Sequence, residues 1–549
     1  MKITVFSLLM FVLSPVAFSQ TWNKQLADGV NLIQTVERPA VVNAMPSKII
    51  NILRIDPKAS GVRIAAVLAN GSTHGNGKLK GRDTVSSIAK RLNAVAVVNA
   101  GFFWQSADPL GLHVSGGELV SEPIPGRAAF GITSDGSMIF DRLEFAGKII
   151  LPDGSSFPIK GINRSRGKDE LVAYTPRFAA TTCTPSGGSE VVIRSGSSPV
   201  SPGIPMTTTI AELRPGCGDT RIAEGTIVLS GSGVAADFIN RSIKPDTVVT
   251  VEFKLKSDES AGWDKVVEAV GGGPWLVRNG VKYIDSQVEN IKRDISVGRH
   301  SRTAVGATAD GKLVIATVGG WRRTGGMTLH ELASLMIGQG CTSAINLDGG
   351  GSTTMATSLG VLNFPADTTE RSIADALAVF CDTQTTIASA VDFTASPDRV
   401  NPSLASRAGN YSVSAPTANV VLTSEEFAAA APSVPMIAGL SYRINLFDSE
   451  GQPLDSKLSD QTVWSLSGGV GFVDQRGTFY AVRPGTGLVS ARIGAKTAEV
   501  TVHVLSAGSQ PVAPVSATAA APSPDAQTPV QQEPAARQIP SSPEPSPAQ

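Results

Sequence analysis

Nine consecutive residues join one acid to a dense set of small donors: Asn346-Leu347-Asp348-Gly349-Gly350-Gly351-Ser352-Thr353-Thr354. Asp348 follows the apolar stretch Ala344-Ile345, so its carboxylate sits where a buried strand should end. Three glycines and three hydroxyls come next, and consecutive turn amides can gather into an anion-holding concavity. This places a single acid or base beside Gly349, Gly350, Gly351, Ser352 and Thr353, the candidate substrate-binding groups. No Gly-Lys-Ser or Gly-Lys-Thr follows, which excludes a nucleotide P-loop. Ser352 lacks the Gly-x-Ser-x-Gly frame of a nucleophile elbow.

A second stretch, Arg299-His300-Ser301-Arg302-Thr303, leads into the apolar run Ala304-Val305-Gly306. In an extended chain, alternation puts His300 and Arg302 on one face and Arg299, Ser301 and Thr303 on the other. A planar guanidinium fork beside an imidazole suits a phosphoryl-bearing substrate that also needs proton transfer. A solvated basic strand edge is the plainer alternative. Four apolar runs end abruptly in glycine, at Asn99-Ala100-Gly101, Gly271-Gly272-Gly273, Gly319-Gly320 and Gly349-Gly350-Gly351, and such strand ends suggest one cleft.

These groups need a scaffold of strands. The chain has 549 residues, 47 basic and 47 acidic side chains, and no net charge, so no field exists to gather nucleic acid or an anionic membrane. Charged residues make up only 17%, against 55 Gly and 35 Pro, a profile of short strands and many turns. Asp135-Gly136, Asp153-Gly154, Asn279-Gly280 and Asp310-Gly311 mark hairpins. Helices are expected from Thr84 to Leu92 and from Thr328 to Ile337, with Asp83 and Thr328 as N-caps and His330 and Glu331 on the surface.

Residues 1–19 read as a signal peptide cut after Ser19, with Met1-Lys2 before a short apolar run and Ala17-Phe18-Ser19 at its end. A secreted, periplasmic or cell-surface location follows, with no transmembrane segment in the mature chain. Export permits disulfides, and nearness in sequence favours Cys183 with Cys217 and Cys341 with Cys381. Residues 20–385 form the chemistry-bearing domain, an α+β unit rich in antiparallel sheet. Period-2 patterning at Ser441–Leu446, Val463–Leu466, Thr478–Val482, Gly487–Ala491 and Val500–Val504 makes 391–505 an all-β sandwich region, within which His503 is a strand residue without chemistry. Its Val463-Trp464, Arg476-Gly477-Thr478 and Arg483-Pro484-Gly485 resemble the bacterial Ig-like domains appended to secreted enzymes. Residues 506–549, rich in Pro and Ala, are expected to be a disordered tail.

Together, Val98–Phe103, Gly271–Pro274, Arg299–Gly306, Gly326–Ala333, Asn346–Met355 and Arg371 before Ile373–Leu377 resemble the phosphodiester glycosidase family, over about Ile49 to Phe380. Many members have proline where Ser301 stands and Asp-Gly-Arg near Gly319-Gly320-Trp321. The resemblance implies hydrolysis of a sugar 1-phosphodiester, of the α-GlcNAc-1-phosphate type, in an envelope or extracellular glycan. A phosphodiester leaves readily, so cleavage at C1 needs little general-acid help and much stabilisation of phosphate and oxocarbenium charge. On that reading Asp348 activates water or stabilises the sugar cation, Arg302 and Arg371 hold phosphate, and His300 orients it or carries a proton. Asn99, Gly101, Arg299 and Thr303 join the Gly349–Gly351 amides in binding substrate, and Trp104, Trp275 or Trp321 stacks on the pyranose.

Two other readings use the same cleft. A non-catalytic polysaccharide-binding surface module would bind without cutting. An ordinary glycosidase would need a second carboxylate, for which Glu118, Glu122 and Asp108 are candidates. No cofactor is expected; calcium at Asp348 is the alternative, though no loop of alternating carboxylates surrounds it.

Overall fold

The computed structural model describes residues 18–39, 45–74, 81–104, 106–196, 200–257, 261–320, 325–382, 393–399, 433–448 and 452–507. Strands dominate, and nearly all of them pair antiparallel. Two large sheets face each other across a shared core. One has eight strands, with Lys48–Ile55, Leu313–Gly319, Arg302–Thr308 and Cys341–Asn346 adjacent at its centre. The other has nine and contains Met355–Thr357, Ala96–Asn99, Asp375–Cys381 and Val62–Leu68. Leu53, Val305, Ile315 and Ile345 of the first meet Ala66, Val98, Leu377 and Val379 of the second. These strands read as continuous apolar runs because both faces are covered. The outer face of the eight-stranded sheet packs on helix Leu329–Gly338 through Leu329, Leu332, Ala333 and Met336. That of the nine-stranded sheet packs on helix Val85–Leu92.

Local chemistry accounts for these elements. Asn279 and Gly280 both take positive φ, the geometry a two-residue hairpin requires, and join Trp275–Arg278 to Val281–Lys282. The other three turn pairs also close antiparallel hairpins. Thr328 caps its helix in a reciprocal capping box with Glu331. The first helix is capped by Thr84, not Asp83; Asp83 instead accepts from Thr84 N and Ser87 Oγ, bracing the cap from outside.

A third sheet, of twelve strands, carries Arg127–Thr133 and Val266–Gly271 against the edge of this core, bringing Ala128, Phe130 and Val270 into it. The C-terminal strands also form two sheets around a common core of Ile444, Leu446, Trp464, Val489 and Val500. One of these sheets is continuous with the nine-stranded sheet through Val361 opposite Leu466. Phe472 and Tyr480 pack on Val36, Ile49 and Phe364, Gln475 N donates to Gln34 Oε1 (2.9 Å), and Arg38 pairs with the buried Asp474 (3.2 Å).

The expected disulfides do not form. Cys341 is buried in the eight-stranded sheet, with its thiol pushed up to about 12 by desolvation, whereas Cys381 ends a strand of the other sheet and donates to Asp28 O. Cys183 is exposed and turns its thiol toward Thr181 O of its own loop. The proposed signal peptide lies, up to residue 17, outside the described residues, and the Ser19–Gln20 bond falls inside the exposed start of strand Phe18–Ala27. The tail from 508 also lies outside them. Among the described residues no helix is long and apolar enough to cross a membrane.

Candidate active site

The four glycine-ended strands come together around the end of strand Cys341–Asn346 and Ser301. The chain leaving that strand is held by Leu347 N on Thr303 O and Asp348 N on Ala100 O, both 2.9 Å. Gly273 N donates to Asn346 O, and a Cβ on Gly272 would lie 2.5 Å from that same oxygen, so this approach requires glycine. Gly101 backs onto Gly271 O, and Gly350 N donates to Ser301 O (2.8 Å) while Gly319 lies against Ser301 Oγ.

At the centre, Asp348 Oδ1 accepts from Gly349 N (2.9 Å), and Ser352 hydrogen-bonds the same carboxyl. Desolvation pushes this carboxyl up to about 6 against the pull of Ser352, Arg371 and Gly349, and the neighbouring Asp375 charge adds to the rise. A carboxylate poised there can exchange a proton near neutrality. Arg371 lies over the glycine turn: its Nη1 is 3.5 Å from Ser352 Oγ, its Nε and Nη2 pair with Asp367, and a Cβ on Gly351 would collide with its guanidinium. Gly351 is thus the residue that lets a cation stand beside the acid.

Asn99, Thr303 and Thr353 are also here, but as supports. Asn99 is 1% exposed; its Nδ2 donates to Asp348 O (2.7 Å) and its Oδ1 accepts from Thr303 Oγ1 and Thr354 N. These bonds fix the backbone of the acid from behind. Thr303 Oγ1 also reaches Thr353 Oγ1 (3.4 Å).

The basic run is placed differently. His300 and Arg302 do face the same way, yet that way is toward helix Arg293–Val297. His300 Nε2 lies 2.8 Å from Asp294 O. Arg302, 2% exposed, directs Nε to Met327 O and Nη2 to Ile295 O and Gly298 O, all within 2.9 Å. Desolvation lowers its pKa to about 10, so it stays charged while satisfying backbone carbonyls. Arg299 forms a two-pronged pair with Glu331. None of the three side chains reaches Asp348 among the described contacts.

Trp275 is buried in the core, Trp104 is 60% exposed, and Trp321, with Arg322 and Arg323, lies outside the described residues. Of the second-carboxylate candidates, Glu118 pairs with Arg177 and Glu122 with Arg164, while Asp108 accepts from Ser106 Oγ. Among the described residues no three His, Cys, Asp or Glu side chains are grouped to hold a metal ion.

One pair escaped the sequence reading. His113, fully buried, sets Nδ1 3.0 Å from Asp375 Oδ2, and Asp375 Oδ1 accepts from Gly101 N (2.8 Å). His113 Nε2 has no partner among the described residues. A carboxylate inside the apolar strand Asp375–Cys381 was the available signal, since a buried acid needs a partner. Its histidine, 262 positions away, left no local trace.

Similar proteins match parts of the chain. Mouse N-acetylglucosamine-1-phosphodiester alpha-N-acetylglucosaminidase is 30% identical over 156 residues, 27% of this chain and 30% of that protein. The human protein of that name is 34% identical over 110 residues, 18% of this chain and 21% of its own length. The prophage-derived uncharacterized protein YomE of Bacillus subtilis is 38% identical over 108 residues, 20% of this chain and 16% of that protein. The chain thus spans less than a third of these relatives. Two crystal structures share the fold: a putative exported protein from Burkholderia pseudomallei (TM-score 0.54, 19% identity, 67% of this chain and 98% of that one) and a hypothetical protein from Synechocystis (TM-score 0.52, 21% identity, 66% and 64%). Residues 211–380, which contain Asp348, Arg371 and Asp375, match the family model described as phosphodiester glycosidase.

Proposed function

We propose that the protein is a secreted hydrolase that cleaves the C1–O bond of a sugar 1-phosphodiester, of the α-GlcNAc-1-phosphate type, in an envelope or extracellular glycan, with the C-terminal strands as an appended Ig-like sandwich. The observation that carries the reading is Asp348: a carboxyl raised to about 6, bonded by the Gly349 amide and faced by Arg371. In its ionised form Asp348 takes a proton from water or stabilises positive charge at C1. Arg371, on the solvent side of the glycine turn, receives the departing phosphate monoester. The phosphate leaves without protonation, so one acid suffices, and the pairing of Glu118 and Glu122 with arginines fits that economy.

The test is hydrolysis by the full chain of α-GlcNAc-1-phosphate esters beside the matching aryl glycosides, with Asp348→Asn as control. Cleavage of the phosphodiesters alone, lost in the variant, is expected. Cleavage of aryl glycosides, or full activity of the variant, would overturn the assignment.

A further inference from the structure

A groove of about 1070 Å³ is not used by the mechanism above. It lies beside the hairpin whose strands Phe102–Phe103 and Pro109–Leu110 pair. Packed backbone links the groove wall to the site: Gly111 packs on Gly271, Gly271 O lies against Gly101, and Ala100 O accepts from Asp348 N. Trp104 stands three extended residues beyond Gly101, about 10 Å along the chain.

The hairpin tip holds Trp104 in place, with its N on Asp108 O and Ala107 N on its own carbonyl, both 3.0 Å, while the indole is 60% exposed. Asp108 is 8% exposed and lines the groove. Its Oδ2 accepts from Ser106, but Oδ1 has no partner among the described residues. A buried carboxylate oxygen without a donor calls for one from a ligand. An exposed aromatic face beside it suits the apolar face of a pyranose whose hydroxyls donate to the acid. The volume lies at the upper end of the roughly 300–1,000 Å³ of small-molecule clefts, enough for several rings. With Glu122 paired to Arg164, the remaining charged lining is Asp108, Glu144 and Lys160, an excess of acid that repels a polyanion.

We propose that this groove binds a run of neutral hexopyranose residues, the polysaccharide flank of the molecule cut at Asp348. The inference rests on the hydrolase reading for its biological sense and not for its chemistry. The substrate is then a neutral glycan bearing an isolated phosphodiester, as opposed to a chain with a phosphate at every repeat.

Calorimetric titration of the full-length Asp348→Asn protein, whose turnover is expected to be slowed, tests this with cellotetraose, maltotetraose and chitotetraose, and with a hyaluronan tetrasaccharide as the polyanionic probe. Binding of at least one neutral tetrasaccharide, weaker by about tenfold on adding Trp104→Ala and retained with Trp104→Phe, is expected. Binding of none of the neutral probes, preference for hyaluronan, or indifference to Trp104→Ala would overturn it. Unchanged thermal melting confirms that the exposed Trp104 variants fold. Binding without phosphodiester turnover by the native chain would refute the hydrolase reading and leave the groove standing; turnover without binding would do the reverse.

Discussion

The Asp348 turn and the Arg299–Thr303 run occupy neighbouring strands of one sheet and are similarly polar, yet they meet their surroundings in opposite ways. In the first, the backbone supplies donors to a side chain: Gly349 N reaches the carboxyl, and Asn99 and Ala100 fix the main chain behind it. In the second, a side chain supplies donors to the backbone, as Arg302 satisfies three carbonyls. The contrast teaches that a buried charge with its valences filled by main chain belongs to the fold, whereas one left raised in pKa beside an exposed opposite charge belongs to chemistry.

The largest expected effect breaks the site side of this contrast. Asp348→Asn should lower turnover by about 10²- to 10⁴-fold. Asparagine still accepts from Gly349 N, so the fold persists. Because burial raises this carboxyl, the native state loses stability as pH climbs from the ordinary carboxylate range through about 6. The variant should therefore melt with wild type near pH 4 and above it at pH 8, by at most about 3 kcal/mol, as thermal unfolding across pH would show.

On the other side, Arg302→Met should cost roughly 3–5 kcal/mol in urea unfolding, since three carbonyls lose their donor. Arg302→Lys should recover only part of it, lacking the fork. A loss of phosphate affinity with stability intact would return Arg302 to the site.

Arg371→Ala reverses that pattern. Its pair with Asp367 is nearly half exposed on both sides and contributes little to stability, so melting should hold while KM rises about tenfold to a hundredfold. Equal losses in stability and affinity would erase the distinction.

The smallest effect sharpens the comparison. Rate should fall as pH drops through about 6, where Asp348 takes up its proton. The charges facing this carboxyl are Arg371 and Asp375, the latter against His113. Asp375→Asn removes the like charge, and the acidic limb of a kcat profile should move down by roughly half a unit to one unit. An unmoved limb would make the His113–Asp375 pair purely structural.

Much of this was legible locally. Turn pairs announced all four hairpins, the Thr328–Glu331 spacing announced its capping box, and the glycines after Asp348 announced the turn. Alternation also put His300 and Arg302 on one face. What covers that face was not legible, because helix Arg293–Val297 supplies carbonyls, which every residue has, in place of a distinctive side chain. The bonds of Asn99 were not legible for a related reason: two of its three partners are a main-chain oxygen and amide from residues about 250 positions away. The contact between His113 and Asp375 was likewise set by topology alone.

The seam between the C-terminal strands and the rest has a consequence for biosynthesis. Gln34, on the second strand of the eight-stranded sheet, is fully buried and accepts from Gln475 N, 441 residues later. At roughly 5–20 residues per second, ribosomal synthesis leaves the Gln34 amide and the nearby Val36 and Ile49 uncovered for about 20 to 90 seconds. Removing residues 391–505 would leave the same surface bare for good. The sheet that carries Asp348 therefore has this part of its surface covered last, and a shortened 20–385 chain is expected to be an aggregation-prone fragment in place of a minimal catalyst.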